Sequence, residues 1–294
     1  MCRLPVFFLI RAEAGQKIEP LKNGISKVGE CVIRKEVGET MIGYYQTDQG
    51  KVRVHNEDAG GVFHNDAGQT LAIVADGMGG HQAGDVASQM TTSHLHTKWQ
   101  EVEKIETPDD AEKWIKETVL AANNEIKTYA NEHEECAGMG TTVVVALCTE
   151  QFATIGHIGD SRCYFANAYG FNAITEDHSL VNELVRSGQI TEEQAEHHPR
   201  KNVLLKAIGT EYDLTADVKT LEFEEDDRLL LCTDGLTNKV TDEELRELQN
   251  HQGDWADFTQ KMVDLANERG GEDNITLAVV HHCQLPSDEK EGAE

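Results

Sequence analysis

The chain has 294 residues, 39% of them hydrophobic, enough to bury a substantial core in one large domain or two small ones. Its 53 acidic side chains against 26 basic ones give a formal net charge of −27, which repels phosphodiester backbones and anionic membrane surfaces and excludes nucleic-acid binding as the main role. No stretch approaches the ~18 apolar residues of a membrane helix, and the seven cysteines, never spaced C-x-x-C, read as buried thiols in a reducing, cytoplasmic setting rather than a disulfide framework or zinc knuckle.

Residues 1–40 hold seven basic and five acidic side chains, the remaining 254 hold 19 and 48. That shift sets a boundary near residue 40 between an N-terminal extension of unknown role and a main domain over 41–283. An extra strand pair, a regulatory extension and an upstream misread start all fit the extension, and its apolar run, ended by Arg11, is too short for a secretory signal. Further on, "LAIVA" (71–75), "TVVVAL" (142–147), "RLLLC" (228–232) and "ITLAVV" (275–280) read as buried strands. Helical periodicity covers 83–100, 109–132, 241–249 and 254–268. The polar stretch 176–209, with a turn at Ser187-Gly188, reads as a surface insertion or lid. Residues 284–294 read as an acidic disordered tail. Strands come in clusters without regularly interposed helices, so two layers of sheet covered by helices fit better than a doubly wound parallel sheet.

The glycine-rich stretch "VADGMGGHQAGD" (74–85) matches none of the common phosphate loops. A dinucleotide fingerprint starting at Gly77 requires glycine where Gln82 stands, and a P-loop requires Gly-Lys-Ser/Thr where Gly84 precedes Asp85. "GDSRC" lacks the second glycine of a nucleophile elbow. His282-Cys283 begins like a cysteine-phosphatase loop, but Glu289 stands where the arginine belongs.

A single Asp-Gly after an apolar run reads as a tight turn. Here the arrangement recurs: Asp76-Gly77, Asp234-Gly235, Asp160, Asp273 and the pair Glu57-Asp58 all stand at the ends of strand-like runs, which points to one shared rim. Two carboxylates 4 Å apart repel by ~4 kcal/mol at an effective dielectric near 20, so such a rim calls for a cation. Oxygen ligands without Cys or His select Mg²⁺ or Mn²⁺ over zinc. Glycine at 77 lets the backbone turn sharply and present its carbonyl beside Asp76. Arg53 would join the rim if "HNED" turns the chain, and its guanidinium would then grip phosphate oxygens; alone, it reads as a surface arginine. The histidine pairs 197–198 and 281–282 and the "HLH" at 94–96 read as solvent-facing rather than metal sites.

These motifs resemble the metal-dependent serine/threonine protein phosphatases of the 2C class, bacterial branch. "TDQGKVRVHNED", "VADGMGGHQAGDVAS", "MGTT", "IGHIGDSRCY", "LLLCTDGL" and "GGEDNITLAVV" stand in the family's order over about residues 42–282. The resemblance implies an α+β fold, a four-layer α/β/β/α sandwich with two central antiparallel sheets flanked by helices. It also implies hydrolysis of phosphoserine and phosphothreonine on proteins by a water bridging two Mn²⁺ or Mg²⁺ ions, with no phosphoenzyme. Asp76 would contact both ions, Asp58 and the Gly77 carbonyl one side, Asp234 and Asp273 the other. Glu57 would act through water, Asp160 would hold a third ion, Arg53 would bind the substrate phosphate, and 176–209 would be a flap. The implied partners are phosphoproteins, opposite a Ser/Thr kinase; the protein is expected to be a monomer. One position departs from the pattern: Met78 stands where many eukaryotic members carry a proton-donating histidine, leaving His81, His178 or a metal-bound water as candidates. A catalytically weak phosphoprotein-binding relative and the phosphatase module of a stress-signalling switch are the competing readings.

Overall fold

The apolar runs of the sequence form strands buried on both faces, which is why they read as continuous rather than alternating. The computed structural model describes residues 29–32, 39–79 and 83–284. The expectations for the leading segment up to residue 28, for His81 and for the tail beyond 284 lie outside these residues. In chain order the strands are β1 (Gly29–Val32), β2 (Glu39–Asp48), β3 (Asp58–His64), β4 (Thr70–Met78), β5 (Gly140–Thr141), β6 (Val143–Cys148), β7 (Phe152–Ile158), β8 (Arg162–Asn167), β9 (Gly170–Ala173), β10 (Asp217–Glu222), β11 (Arg228–Cys232) and β12 (Ile275–Gln284). The helices are α1 (Ala83–Gln100), α2 (Pro108–Glu132), α3 (Leu180–Arg186), α4 (Glu192–Glu196), α5 (Asp234–Thr237), α6 (Asp242–Leu245) and α7 (Trp255–Glu268).

Two antiparallel sheets result, one ordered β1-β2-β12-β11-β8-β9 and the other β10-β7-β6-β4-β3, with β5 pairing β4. Strand β1 pairs with β2, so the first sheet begins before the compositional boundary at residue 40. Three apolar clusters fill the three gaps between four layers. In β4, Leu71 and Ile73 face α1 and α2 while Ala72 and Val74 face the opposite sheet. In β11, Leu230 and Cys232 pack with α7, and Leu229 and Leu231 point between the sheets. The order α/β/β/α is therefore dictated by strands with two apolar faces, each of which must be covered.

Helix boundaries follow local chemistry. Thr107 caps α2, accepting from the Asp110 N–H with Pro108 in the first turn, where proline's missing N–H costs nothing. The helix expected over 241–249 is split: Thr241 and Glu244 form a capping box for the short α6, and Arg246–Asn250 tightens into a 3₁₀ turn. The turn at Ser187-Gly188 ends α3 as expected. Cys136, Cys148, Cys163 and Cys232 are buried thiols. The histidine expectation fails at His282, which is buried and stacked against Phe223, because it continues the face of β12 that carries Ala278 and Val280 between the sheets.

Leu231 is fully buried between the sheets. Leu231→Ala is expected to cost about 2–5 kcal/mol, measured as a lowered urea midpoint with unchanged slope.

Candidate metal centre and phosphate site

Antiparallel pairing brings the acids together. Asp58 begins β3 and stands directly opposite Asp76 in β4. Asp234 follows β11, and Asp273 precedes β12, its antiparallel partner. Asp160 lies in the link from β7 in one sheet to β8 in the other. All of these chain positions open onto the same end of the sandwich. Arg53 sits on the irregular segment between β2 and β3, and its guanidinium donates to Asp273 Oδ2 at 2.8 Å, so the bend expected near "HNED" does bring it to the rim. Its side chain remains 47% exposed.

Gly77 plays a different part from the one expected. The chain does not turn there: β4 runs on to Met78, and the Gly77 N–H donates to the Glu57 carbonyl at 3.1 Å. A Cβ at Gly77 would lie 2.1 Å from the Gly84 carbonyl oxygen and 2.5 Å from that of Glu57. Glycine is required because three backbone segments meet, not because one bends. Gly235 repeats the device, its absent Cβ leaving room for the Asn274 carbonyl, which would otherwise be 1.9 Å away. Asp234-Gly235 is no hairpin either, since Asp234 opens α5.

The electrostatics are those of crowded, dehydrated acids. Burial, then the neighbouring Asp234 and Asp273, push the Asp58 carboxyl up to about 7, against the lowering effect of hydrogen bonds from Thr276 and Thr233. Asp160 is likewise pushed up to about 7 by burial and by Asp234 and Asp177. Asp76 is driven well above the usual carboxylate range by burial and then by Asp58, Asp234, Asp160 and Asp273. Asp234 is raised by burial and by Asp273, although Asn238 donates to its Oδ2 at 3.0 Å. Glu57 is raised by burial, with Arg53 opposing. One oxygen each of Asp58 and Asp234 is buried with no hydrogen-bond partner among the described residues. Orphaned, mutually repelling carboxylate oxygens at one rim fit a hard divalent cation. Among the described residues no three Asp, Glu, His or Cys side chains stand close enough together to hold an ion by themselves, so backbone carbonyls and water would have to complete any coordination. An open rim suits ions that keep part of their water.

Several supporting residues escaped the sequence reading. Thr233 donates its hydroxyl to Asp58 Oδ2 at 3.0 Å and accepts from the Thr276 N–H. The Thr142 hydroxyl meets the Asp76 N–H at 2.9 Å and the Ser161 hydroxyl at 2.7 Å. Arg162 grips Asp177 with two hydrogen bonds of 2.8 and 2.7 Å, tying the strand after Asp160 to the base of the 176–209 insertion. The available signal was a short polar residue adjoining three of the strand-end acids, in "TDG", "GDS" and "EDN". His178 is engaged elsewhere: its Nδ1 accepts the Gly159 N–H at 3.1 Å and its Nε2 faces Asp217 at 3.3 Å.

A family model described as protein phosphatase 2C matches residues 45–279. The chain belongs to the protein phosphatase 2C family. It is 44% identical over 236 residues to the serine/threonine phosphatase stp of Listeria monocytogenes, covering 80% of this chain and 94% of that protein. The crystal structure of Stp1 from Staphylococcus aureus superposes with a TM-score of 0.77 at 38% identity, covering 85% of this chain and 98% of the other. The catalytic domain of PstP in complex with two manganese ions has a TM-score of 0.73 at 30% identity, covering 84% of this chain and all of the other. The expected four-layer sandwich is thus the family's fold.

A carboxyl whose folded-state pKa lies above its unfolded value of ~4 stabilises the fold fully below that value and loses the contribution as pH rises through the folded pKa. With Asp58 and Asp160 at about 7, metal-free protein is expected to melt lower at pH 8 than at pH 5. A drop of about 3 °C corresponds to about 1 kcal/mol in a chain of this size. Calorimetry at the two pH values checks this, and Asp160→Asn is expected to reduce the difference.

Proposed function

We propose that the chain hydrolyses phosphoserine and phosphothreonine on proteins with two Mn²⁺ or Mg²⁺ ions held at the carboxylate rim. The observation carrying this reading is the convergence of Asp58, Asp76, Asp234 and Asp273 on one rim, the first three raised by burial and by one another's charge, with the half-exposed guanidinium of Arg53 paired to the fourth. Asp58, Asp76, the Gly77 carbonyl, Asp234 and Asp273 would hold the two ions, with Asp76 shared between them, Glu57 would act through water, and Asp160 would hold a third ion. Bound divalent ions would supply Lewis-acid stabilisation and a water acidic enough to ionise near neutral pH.

The chain's own residues do the rest. Arg53 presents a planar fork that matches two phosphate oxygens and neutralises charge on them. Thr233 and Thr142 keep Asp58 and the Asp76 backbone in place by the hydrogen bonds already described. Met78 offers no proton to a leaving alkoxide, and His178 is turned toward Gly159 and Asp217, its pKa lowered by burial and by His157. His81, which lies outside the described residues, and water are the remaining donors to the alkoxide. Residues 41–283 act as the catalytic domain and 176–209 as a flap that screens phosphoproteins; no residue from 180 to 206 is buried, as suits a segment that meets other molecules. Among the described residues no helix is long and apolar enough to cross a membrane. The same reading makes the chain a cytoplasmic monomer that opposes a Ser/Thr kinase. The extension before residue 41 keeps its unknown role.

Two outcomes follow. Asp76→Asn is expected to lower turnover of a phosphothreonine peptide at least about 10³-fold, since removing a transition-state electrostatic partner costs on this order, while circular dichroism stays unchanged. Saturating Mn²⁺ is expected to raise the melting temperature of the wild-type chain and not that of Asp234→Asn, by ligand linkage; an equal rise in both would show that the ions bind elsewhere.

A further inference from the structure

Asn274 follows Asp273 at the mouth of β12 and is buried, 4% exposed. Its side chain is spent entirely on one neighbouring segment. Oδ1 accepts the Glu57 N–H at 2.8 Å, and Nδ2 donates to the Gln49 carbonyl at 2.8 Å and to the His55 carbonyl at 3.0 Å. These three bonds bracket Arg53 from both sides along the chain. Two further contacts close the segment: Gln49 Nε2 donates to the Arg53 carbonyl at 2.6 Å, and the Gly271 carbonyl accepts from Lys51 and Val52.

Asn274 also reaches the acids. Its own N–H donates to Asp273 Oδ1 at 2.9 Å, and its carbonyl lies where a Cβ on Gly235 would be. One residue therefore ties the Arg53 segment to the two segments that bear Asp273 and Asp234. Arginine has a long, mobile side chain whose usefulness as a fork depends on how firmly its base is held. The segment has no helix or strand of its own between Gln49 and Glu57, so side-chain clamps must supply that firmness.

We propose that Asn274 is the positioning residue for Arg53, fixing the 49–57 segment so that the guanidinium faces the phosphate above the carboxylate rim. The proposal rests on the reading of Arg53 as the phosphate-binding side chain. Asn274 touches no phosphate itself. Its loss should therefore weaken phosphate recognition through Arg53 and through nothing else, which a double-mutant cycle isolates.

The test uses the full chain loaded with Mn²⁺, a phosphothreonine peptide as substrate and inorganic phosphate as inhibitor, in four proteins: wild type, Arg53→Ala, Asn274→Ala and the double variant. Asn274→Ala is expected to raise both KM and the phosphate inhibition constant by about tenfold, and to change neither by more than about twofold when added to Arg53→Ala. Its Mn²⁺ dissociation constant, read by calorimetry, should stay within about threefold of wild type, as for a variant that removes no ligand. Fully additive losses in the double variant, or an unchanged phosphate constant in Asn274→Ala, overturn the proposal and leave the role of Arg53 standing. Unchanged constants in Arg53→Ala overturn that role and the proposal with it. If Asn274→Ala does not fold, Gln49→Met removes the bond to the Arg53 carbonyl from an exposed position. It is expected to raise the phosphate constant by about threefold, and no rise there overturns the proposal.

Discussion

Everything at the working end of this molecule depends on holding like charges close together. Carboxylates at the ends of buried strands repel one another in a medium that screens them poorly, and water cannot reach them freely to help. The fold resists that repulsion with rigidity. Asp58 and Asp76 are locked face to face by the β3–β4 ladder, and Asp234 and Asp273 flank the β11–β12 ladder. Both ladders are clamped between apolar layers on each side. A looser scaffold would relieve the repulsion by spreading the acids, and with them the capacity to gather divalent ions.

Rigidity also explains the short polar residues around the rim. Thr233, Thr142 and Asn274 are each one residue removed from an acid or opposite one, and each spends its hydrogen bonds on an acid or on the backbone beside it. They lower the cost of dehydration only partly, because oxygens of Asp58 and Asp234 stay unpartnered. Complete satisfaction would leave nothing for a cation to bind. The site is thus a compromise between acids held firmly enough to converge and acids left hungry enough to ligate.

Much of this was legible in the sequence. Runs such as "LAIVA" and "RLLLC" showed buried strands, and the recurrence of an acid at their ends showed a shared rim, because strands of antiparallel sheets start and finish at common edges. The pattern failed where tertiary contact, not local preference, decides. Gly77 looks like a turn residue but is an interior strand position, emptied of its side chain so that Gly84 can approach. His282 looks like part of a polar pair but lies under Phe223. Asn274 carries no sequence signal beyond adjacency to Asp273, since its partners at residues 49, 55 and 57 are more than 200 positions away.

The insertion over 176–209 is built on opposite terms. Its base is pinned by Arg162 to Asp177 and by the Ser179–Leu204 bridge, yet no residue between 180 and 206 is buried. Surface substitutions of that kind usually change stability by little. This part of the chain can therefore drift through many sequences without endangering the rim, so its surface can change while the carboxylates underneath stay fixed.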